Sequence, residues 1–251
     1  MRKSDIFQTY IDDIHGVLGL LTRLPLSGAP IRGAEAAWAY PVAGALVGLI
    51  GGLIGLLAHW CGLPSALAAL MALAAQVVVT GAMHEDGLAD SADGLWGGWT
   101  RARRLEVMKD SHIGAYGVLA LILSIAARWS ALWLMFQIDA GWALAAMITA
   151  GAVSRAAIPA LMWALPHARG AGLSHGTGRP TARICGAAVG IAAGAALLLV
   201  GWSAFGAVFW TALVVIAIAL IAKAKIGGQT GDTLGAVQQL AEIAVLLSII
   251  A

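Results

Sequence analysis

The sequence predicts an all-α, polytopic integral membrane protein, a helical bundle with a cytoplasmic N-terminus. Three observations lead to this class. Of the 251 residues, 60% are hydrophobic and 11% are charged, whereas soluble domains contain roughly 25% charged residues. The apolar residues form runs of about 20, the length that crosses roughly 30 Å of hydrocarbon as a helix. Lys and Arg occupy alternate connections between these runs, and such a bias sets the orientation.

The first predicted element is a helix in the membrane interface, at about residues 5–24. Its apolar residues recur at helical spacing, and Asp12 and Asp13 lie off that apolar stripe. Seven apolar segments follow, at residues 38–59, 64–83, 116–136, 142–163, 184–200, 202–221 and 232–251. The fifth is short and the seventh only just long enough, so six spans plus a re-entrant segment is an open alternative.

The whole chain, residues 1–251, is predicted to be one membrane domain with the lipid bilayer as a partner and no nucleic acid. Its basic connections, at residues 84–114, 164–183 and 222–236, alternate with connections that carry no Lys or Arg. Because cytoplasmic connections are enriched in these residues, the basic ones are predicted to be cytoplasmic active-site loops. Cys61 and Cys185 then fall on opposite faces, which excludes a disulfide between them. The sequence leaves a homo-oligomer open.

Acidic residues gather just after the second apolar segment. Glu85, Asp86, Asp90 and Asp93 lie within nine residues, and in a continuous helix the three aspartates share one face. Carboxylates this close repel one another unless a positive charge lies between them. Mg²⁺ prefers oxygen ligands and binds one or two carboxylates together with water and substrate phosphate. These four residues are therefore predicted to hold Mg²⁺, with a solvated acidic loop as the alternative.

A glycine-containing segment opens the last apolar segment on the same predicted face. Glycines and the N-terminus of a helix favour a bound phosphate, so Gly228, Gln229, Thr230 and Gly231 are candidates for substrate binding. Asp232 follows directly and is a candidate either for the N-cap of the helix or for a catalytic carboxylate.

Further polar residues on this face are candidates for binding a phosphate-linked substrate. They are Arg103, Lys109, Asp110, Ser111 and Arg155. Arg155 lies inside a predicted span, where an arginine costs roughly 2.5–3.5 kcal/mol unless it has a partner or a wet cavity. The connection at residues 166–180 contains His167 and His175 among several glycines, and we interpret it as a substrate flap.

Three segments together resemble the cobalamin synthase family of adenosylcobinamide-GDP ribazoletransferases. They are residues 84–94, 106–111 and 227–235, and their order and spacing agree along nearly the whole chain. Lys109 stands where arginine also occurs in the family. The resemblance implies that the 3′-hydroxyl of α-ribazole, or of α-ribazole 5′-phosphate, attacks the cobinamide-side phosphorus of adenosylcobinamide-GDP. GMP leaves, and adenosylcobalamin or its 5′-phosphate forms at the cytoplasmic face of a bacterial or archaeal plasma membrane.

In that reaction Mg²⁺ would neutralise charge on the phosphate oxygens, and Asp93 or Asp232 would orient or deprotonate the incoming hydroxyl. One alternative is another membrane phosphotransferase. A polyprenyltransferase is a second, although it needs a paired acidic motif. A cation-coupled transporter is a third alternative. It predicts ionisable residues near the midplane of the membrane, whereas Glu242 is the one carboxylate in the interior of the predicted spans.

Overall fold

The computed structural model describes residues 3–26 and 32–251, and these residues form helices and connections without strands. The helices are α1 (Lys3–Leu21), a 3-10 helix (Gly33–Ala39), α2 (Tyr40–Trp60), α3 (Ser65–Thr80), α4 (Met83–Gly97), α5 (Arg101–Val107), α6 (Ala115–Ile138), α7 (Ala140–Ala164), α8 (Leu173–Thr177), α9 (Ala182–Val200), α10 (Ser203–Ile226) and α11 (Gly231–Ile250). The all-α prediction is confirmed.

Six helices in the described part of the chain are long and apolar enough to cross a membrane. They are α2 with the preceding 3-10 helix, α6, α7, α9, α10 and α11. The helices α3 and α4 reach the same threshold only as a pair, and the axis bends by 86° between them. If this pair is counted as one broken span, the number becomes seven. The break falls at the second predicted segment, whereas the fifth and the seventh, which were predicted to be marginal, are full candidate spans as α9 and α11.

The bend between α3 and α4 shows that the helix of the second apolar segment does not continue into the acidic residues, which share the continuous helix α4. Gly81 and Ala82 both adopt left-handed backbone conformations, with φ of +63° and +57°. The side chain of Arg23 packs so closely on Gly81 that a Cβ atom there would lie 2.6 Å from its Nε. The acidic residues therefore belong to a separate helix, α4, which turns across the end of the bundle rather than continuing the span.

The helix predicted at about residues 5–24 is observed as α1, with one correction. Asp13 is only 2% exposed and accepts hydrogen bonds from the guanidinium of Arg32 at 3.2 Å and from the indole N–H of Trp38 at 2.9 Å. It therefore faces the protein and ties α1 to the start of the first span, instead of lying off the packed face.

Helices α2 and α7 approach each other through glycines at the centre of the bundle. A Cβ atom on Gly44 would clash with the carbonyl oxygen of Gly151, and one on Gly151 would clash with that of Gly44. Small residues allow such backbone contact between membrane helices. Of the six candidate spans, α7 and α11 are the most enclosed, whereas α6, α9 and α10 expose most of their apolar surface.

The three basic connections meet at one end of the bundle. Arg101 donates to the carbonyl of Ala168, Arg104 to that of Lys225, and Arg169 to that of Leu105. These bonds join residues 84–114, 164–183 and 222–236, as the alternation of charge predicted. Cys61 is exposed, Cys185 is buried, and both are free thiols.

Candidate active site

A cavity of about 260 Å³ opens at the end of the bundle where the basic connections meet. Its apolar wall comes mainly from α1, α2 and α7, and includes Leu20, Leu21, Tyr40, Ile158 and Met162. Its polar wall comes from α4, the 166–180 loop and the start of α11, and includes Asp86, His167, Arg169, Ser174, His175, Gln229, Thr230 and Asp232. Three segments that are distant in sequence thus share one site.

Close packing of α4 against α11 brings Asp86 beside Asp232. A Cβ atom on Gly87 would lie 2.8 Å from the carbonyl oxygen of Asp232 and 3.0 Å from the Cα of Gly235. Asp90 follows Asp86 by one helical turn. Burial, reinforced by the charges of Asp86 and Asp232, raises the pKa of Asp90 to about 7. This part of the site carries an excess of negative charge.

Arg169 supplies the opposing positive charge. Its guanidinium lies 3.2 Å from the carboxylate of Asp232, which also accepts a hydrogen bond from the hydroxyl of Thr230 at 3.1 Å. From the sequence, Arg169 is only one of the basic residues of the 164–183 connection. The signal that could have singled it out is its position in the glycine-containing 166–180 loop, two residues after His167.

Thr230 is the N-cap of α11, so the interpretation of Asp232 as the cap is wrong. The hydroxyl of Thr230 accepts from the N–H of Thr233 at 3.3 Å, and the hydroxyl of Thr233 accepts from the N–H of Thr230 at 2.9 Å. This reciprocal pair is a capping box. Asp232 is therefore free of the capping role, and its carboxylate faces the cavity beside Arg169.

Gly228 and Gln229 hold the 166–180 loop in place. The N–H of Gln229 donates to the carbonyl of Pro166, and the N–H of Ala168 donates to the carbonyl of Gln229, both at 2.8 Å. A Cβ atom on Gly228 would clash with the carbonyl oxygen of Pro166. Both residues were predicted to bind substrate, but the glycine serves this backbone contact and the Gln229 side chain is enclosed by the loop. Gly231 remains exposed at the cavity.

Glu85 was predicted to hold Mg²⁺ and Arg155 to bind substrate, but neither lines the cavity. Both belong to a buried charge network. Glu85 accepts hydrogen bonds from Arg128 and Gln239, each at 3.1 Å. Arg155 lies 2.6 Å from Glu242, which is also 3.5 Å from Arg128. Two arginines and two glutamates balance one another, which is how charges persist inside a membrane bundle. The structure gives both residues structural partners, and their predicted roles, metal binding for Glu85 and substrate binding for Arg155, stay predictions.

Asp93 also lies outside the cavity and binds backbone groups instead. Its two carboxylate oxygens accept the backbone N–H groups of Gly114 and Gly117, at 2.7 and 2.9 Å. A Cβ atom on either glycine would clash with this carboxylate. Asp93 therefore satisfies the free N–H groups at the start of α6, and the structure does not place it as a metal ligand or a catalytic base.

The remaining predicted substrate residues lie outside the cavity. Arg103, Lys109, Asp110 and Ser111 are all exposed, on α5 and the connection to α6. Arg103 pairs with a neighbouring glutamate on α5 at 2.9 Å. Asp110 pairs at 2.6 Å with His112, a bond that lowers the pKa of Asp110 and raises that of His112. The structure does not bring these four residues together with Asp86 and Asp232.

The fold and the site define a polytopic helical membrane protein that gathers aspartates, an arginine and a helix N-terminus in one cavity, a combination suited to phosphate esters. The sequence profile of the cobalamin-5-phosphate synthase family matches residues 13–250. The chain belongs to this family.

Relatives of the same length carry one name. The chain is 46% identical to an adenosylcobinamide-GDP ribazoletransferase of Mesorhizobium japonicum, over 94% of this chain and 92% of the relative. It is 44% identical to one of Bradyrhizobium diazoefficiens, over 97% and 95%, and 41% identical to one of Azorhizobium caulinodans, over 100% and 98%. No solved structure matches the chain.

Proposed function

We propose that this chain is a Mg²⁺-dependent transferase that joins adenosylcobinamide-GDP to α-ribazole or its 5′-phosphate and releases GMP. This is the last assembly step of cobalamin synthesis. The observation that carries the proposal is the convergence of Asp86, Asp232 and Arg169 on one cavity at the N-terminus of α11, with Asp90 one helical turn after Asp86. The names of its full-length relatives support the same reaction.

The donor set fits Mg²⁺, although its members differ from the predicted four. Asp86 and Asp90 remain as oxygen ligands once Glu85 and Asp93 are assigned to structural bonds. Within the described residues no three acidic, histidine or cysteine side chains are already arranged around one point. Mg²⁺ usually needs only one or two carboxylates, because water and substrate phosphate complete its coordination. When bound, the ion would neutralise charge on the phosphate oxygens.

The side chains of the cavity have distinct tasks in the proposed reaction. Arg169 exchanges its contact with Asp232 for a substrate phosphate, which a guanidinium binds through two parallel hydrogen bonds. Asp232 is then free to accept the proton of the attacking 3′-hydroxyl. The exposed N-terminus of α11 favours the anionic substrate over water.

The direct test is the release of GMP from adenosylcobinamide-GDP by purified protein supplied with Mg²⁺ and either acceptor. Asp86→Asn, Asp90→Asn and Asp232→Asn should each lower turnover by at least about a hundredfold, the low end for acid–base catalysis. Asp139→Asn is the matched control, because Asp139 caps α7 at the opposite end of the bundle and asparagine caps equally well. Absence of GMP from the wild type with both acceptors overturns the proposal.

We also propose that the chain spans a bacterial plasma membrane and that its cavity opens to the cytoplasm. The clustering of basic connections at this end supports that orientation. Cys61 lies at the opposite end and is exposed, so an impermeant thiol reagent added outside intact cells should label it. Cysteines introduced at Trp99 and His175, in a background without native cysteines, should react only after permeabilisation. The reverse pattern would invert the topology.

A further inference from the structure

His167 lies in the cavity in an orientation set by two neighbours. Its ring nitrogen Nδ1 is 2.8 Å from the amide nitrogen of Gln229 and 3.3 Å from the hydroxyl of Ser174. The Ser174 hydroxyl donates to the amide oxygen of Gln229 at 2.5 Å. Gln229 is 1% exposed and Ser174 is 6% exposed, so the two partners are held rigidly behind the imidazole.

This arrangement determines which ring nitrogen of His167 carries the proton. Since the oxygen of the Gln229 amide accepts from Ser174, its NH₂ group faces His167 and donates. With the Gln229 amide assigned in this orientation, Nδ1 accepts, and a neutral imidazole with an accepting Nδ1 has its proton on Nε2. Burial, together with the charges of His175 and Arg179, lowers the pKa of His167, so the ring is neutral near pH 7.

The other ring nitrogen is available to a ligand. Nε2 has no hydrogen-bond partner within residues 3–26 and 32–251. It is not enclosed either, because His167 lines the cavity and is partly exposed. Arg169, two residues further on, faces the same cavity beside Asp232. An N–H donor thus stands next to the proposed position of the substrate phosphates.

We propose that His167 is a catalytic residue that donates an Nε2–H hydrogen bond to the leaving phosphate, with Gln229 and Ser174 as positioning residues. The inference deepens the proposed function and rests on it. Gln229, which the glycine-containing segment predicted to bind substrate directly, here acts through His167.

The step balances without a further proton donor. The 3′-oxygen forms a bond to the cobinamide-side phosphorus, its proton passes to Asp232, and the bond from that phosphorus to the bridging oxygen breaks. The bridging oxygen departs with GMP and gains negative charge, which the Nε2–H group stabilises. A phosphate monoester has a second pKa near 6, so GMP leaves at neutral pH without taking the imidazole proton.

The first test compares three variants by their turnover. His167→Leu removes the donor and should lower kcat by roughly a hundred- to a thousandfold, the effect of losing one such donor. His167→Gln offers an amide N–H near the same point and should retain at least about ten times the kcat of the leucine variant. His15→Gln, exposed on α1 and away from the cavity, should match the wild type. Equal kcat for His167→Leu and His167→Gln, at unchanged Tm, overturns the inference.

The second test exchanges the positioning group. In Gln229→Glu the carboxylate can only accept, so neutral His167 carries its proton on Nδ1 and Nε2 is bare. The imidazolium form still has both protons. This variant should therefore lose kcat above the raised pKa of His167, by roughly tenfold per pH unit, down to the level of His167→Leu. The wild type should show no such fall between pH 7 and 8.5, and an identical profile for the two proteins overturns the inference.

Different results contradict the proposed function and the role of His167. If wild-type protein releases no GMP, the proposed function fails and the role of His167 with it. If the wild type turns over and His167→Leu does so at the same rate, only the present inference fails. A change in KM for adenosylcobinamide-GDP without a change in kcat would also overturn it, because stabilisation of the leaving group acts in the transition state.

Discussion

Replacing Asp93 with asparagine should weaken the start of α6 but leave Mg²⁺ binding intact. The carboxylate is 7% exposed and accepts the N–H groups of Gly114 and Gly117 at 2.7 and 2.9 Å. Hydrogen bonds to a charged group contribute about 1.5–3 kcal/mol each, and neutral ones about 0.5–1.5. Asparagine keeps one neutral bond and turns its NH₂ toward the second N–H group. We expect Asp93→Asn to lose about 2–5 kcal/mol of stability.

The change is measurable as a fall in Tm of purified protein in detergent, of roughly 5–15 °C for a chain of this size. Turnover per folded molecule and the Mg²⁺ concentration for half-maximal rate should stay at wild-type values. Asp139→Asn again serves as the control, since its cap survives the substitution. A wild-type Tm combined with weakened activation by Mg²⁺ would refute the capping role and restore Asp93 to the metal site.

Three further changes test the packing, the buried charges and the acidic cluster. Gly151→Ala forces α2 and α7 apart and should lower the free energy of unfolding by about 1–3 kcal/mol. Gly190→Ala on α9 meets open space and should leave Tm unchanged or raise it. Equal effects of the two changes on Tm would contradict the close contact between α2 and α7. Arg155→Met leaves the buried carboxylate of Glu242 without its partner and should lower the free energy of unfolding by about 3–5 kcal/mol. Adding Glu242→Gln should restore most of the lost Tm. An arginine that only binds substrate would not show this rescue. The pKa of Asp90 is raised to about 7 in the folded protein, so folding takes up protons between pH 4 and 7. Without Mg²⁺, Tm should therefore fall as the pH rises through this window. Asp90→Asn should flatten this dependence of Tm on pH.

Much of the architecture was predictable because backbone groups in lipid must bond within their own segment. The apolar runs at residues 116–136 and 142–163 correspond to α6 and α7, with ends that differ by a few residues. Charge alternation identified which connections meet. It could not predict the break after α3, because a left-handed turn at Gly81 and Ala82 depends on the packing of Arg23, which lies far away in the sequence.

The sequence by itself determined that the chain is a membrane bundle and that its acidic and glycine-containing segments lie at one end. It also identified the candidate site carboxylates, which are Glu85, Asp86, Asp90, Asp93 and Asp232. Only the tertiary structure separated these carboxylates by role. Glu85 meets Gln239, Asp93 meets Gly114, and Asp232 meets Arg169. The physical reason is that a carboxylate becomes a ligand, a cap or half of an ion pair according to the donor that packing brings to it, and each of these donors comes from a distant part of the chain.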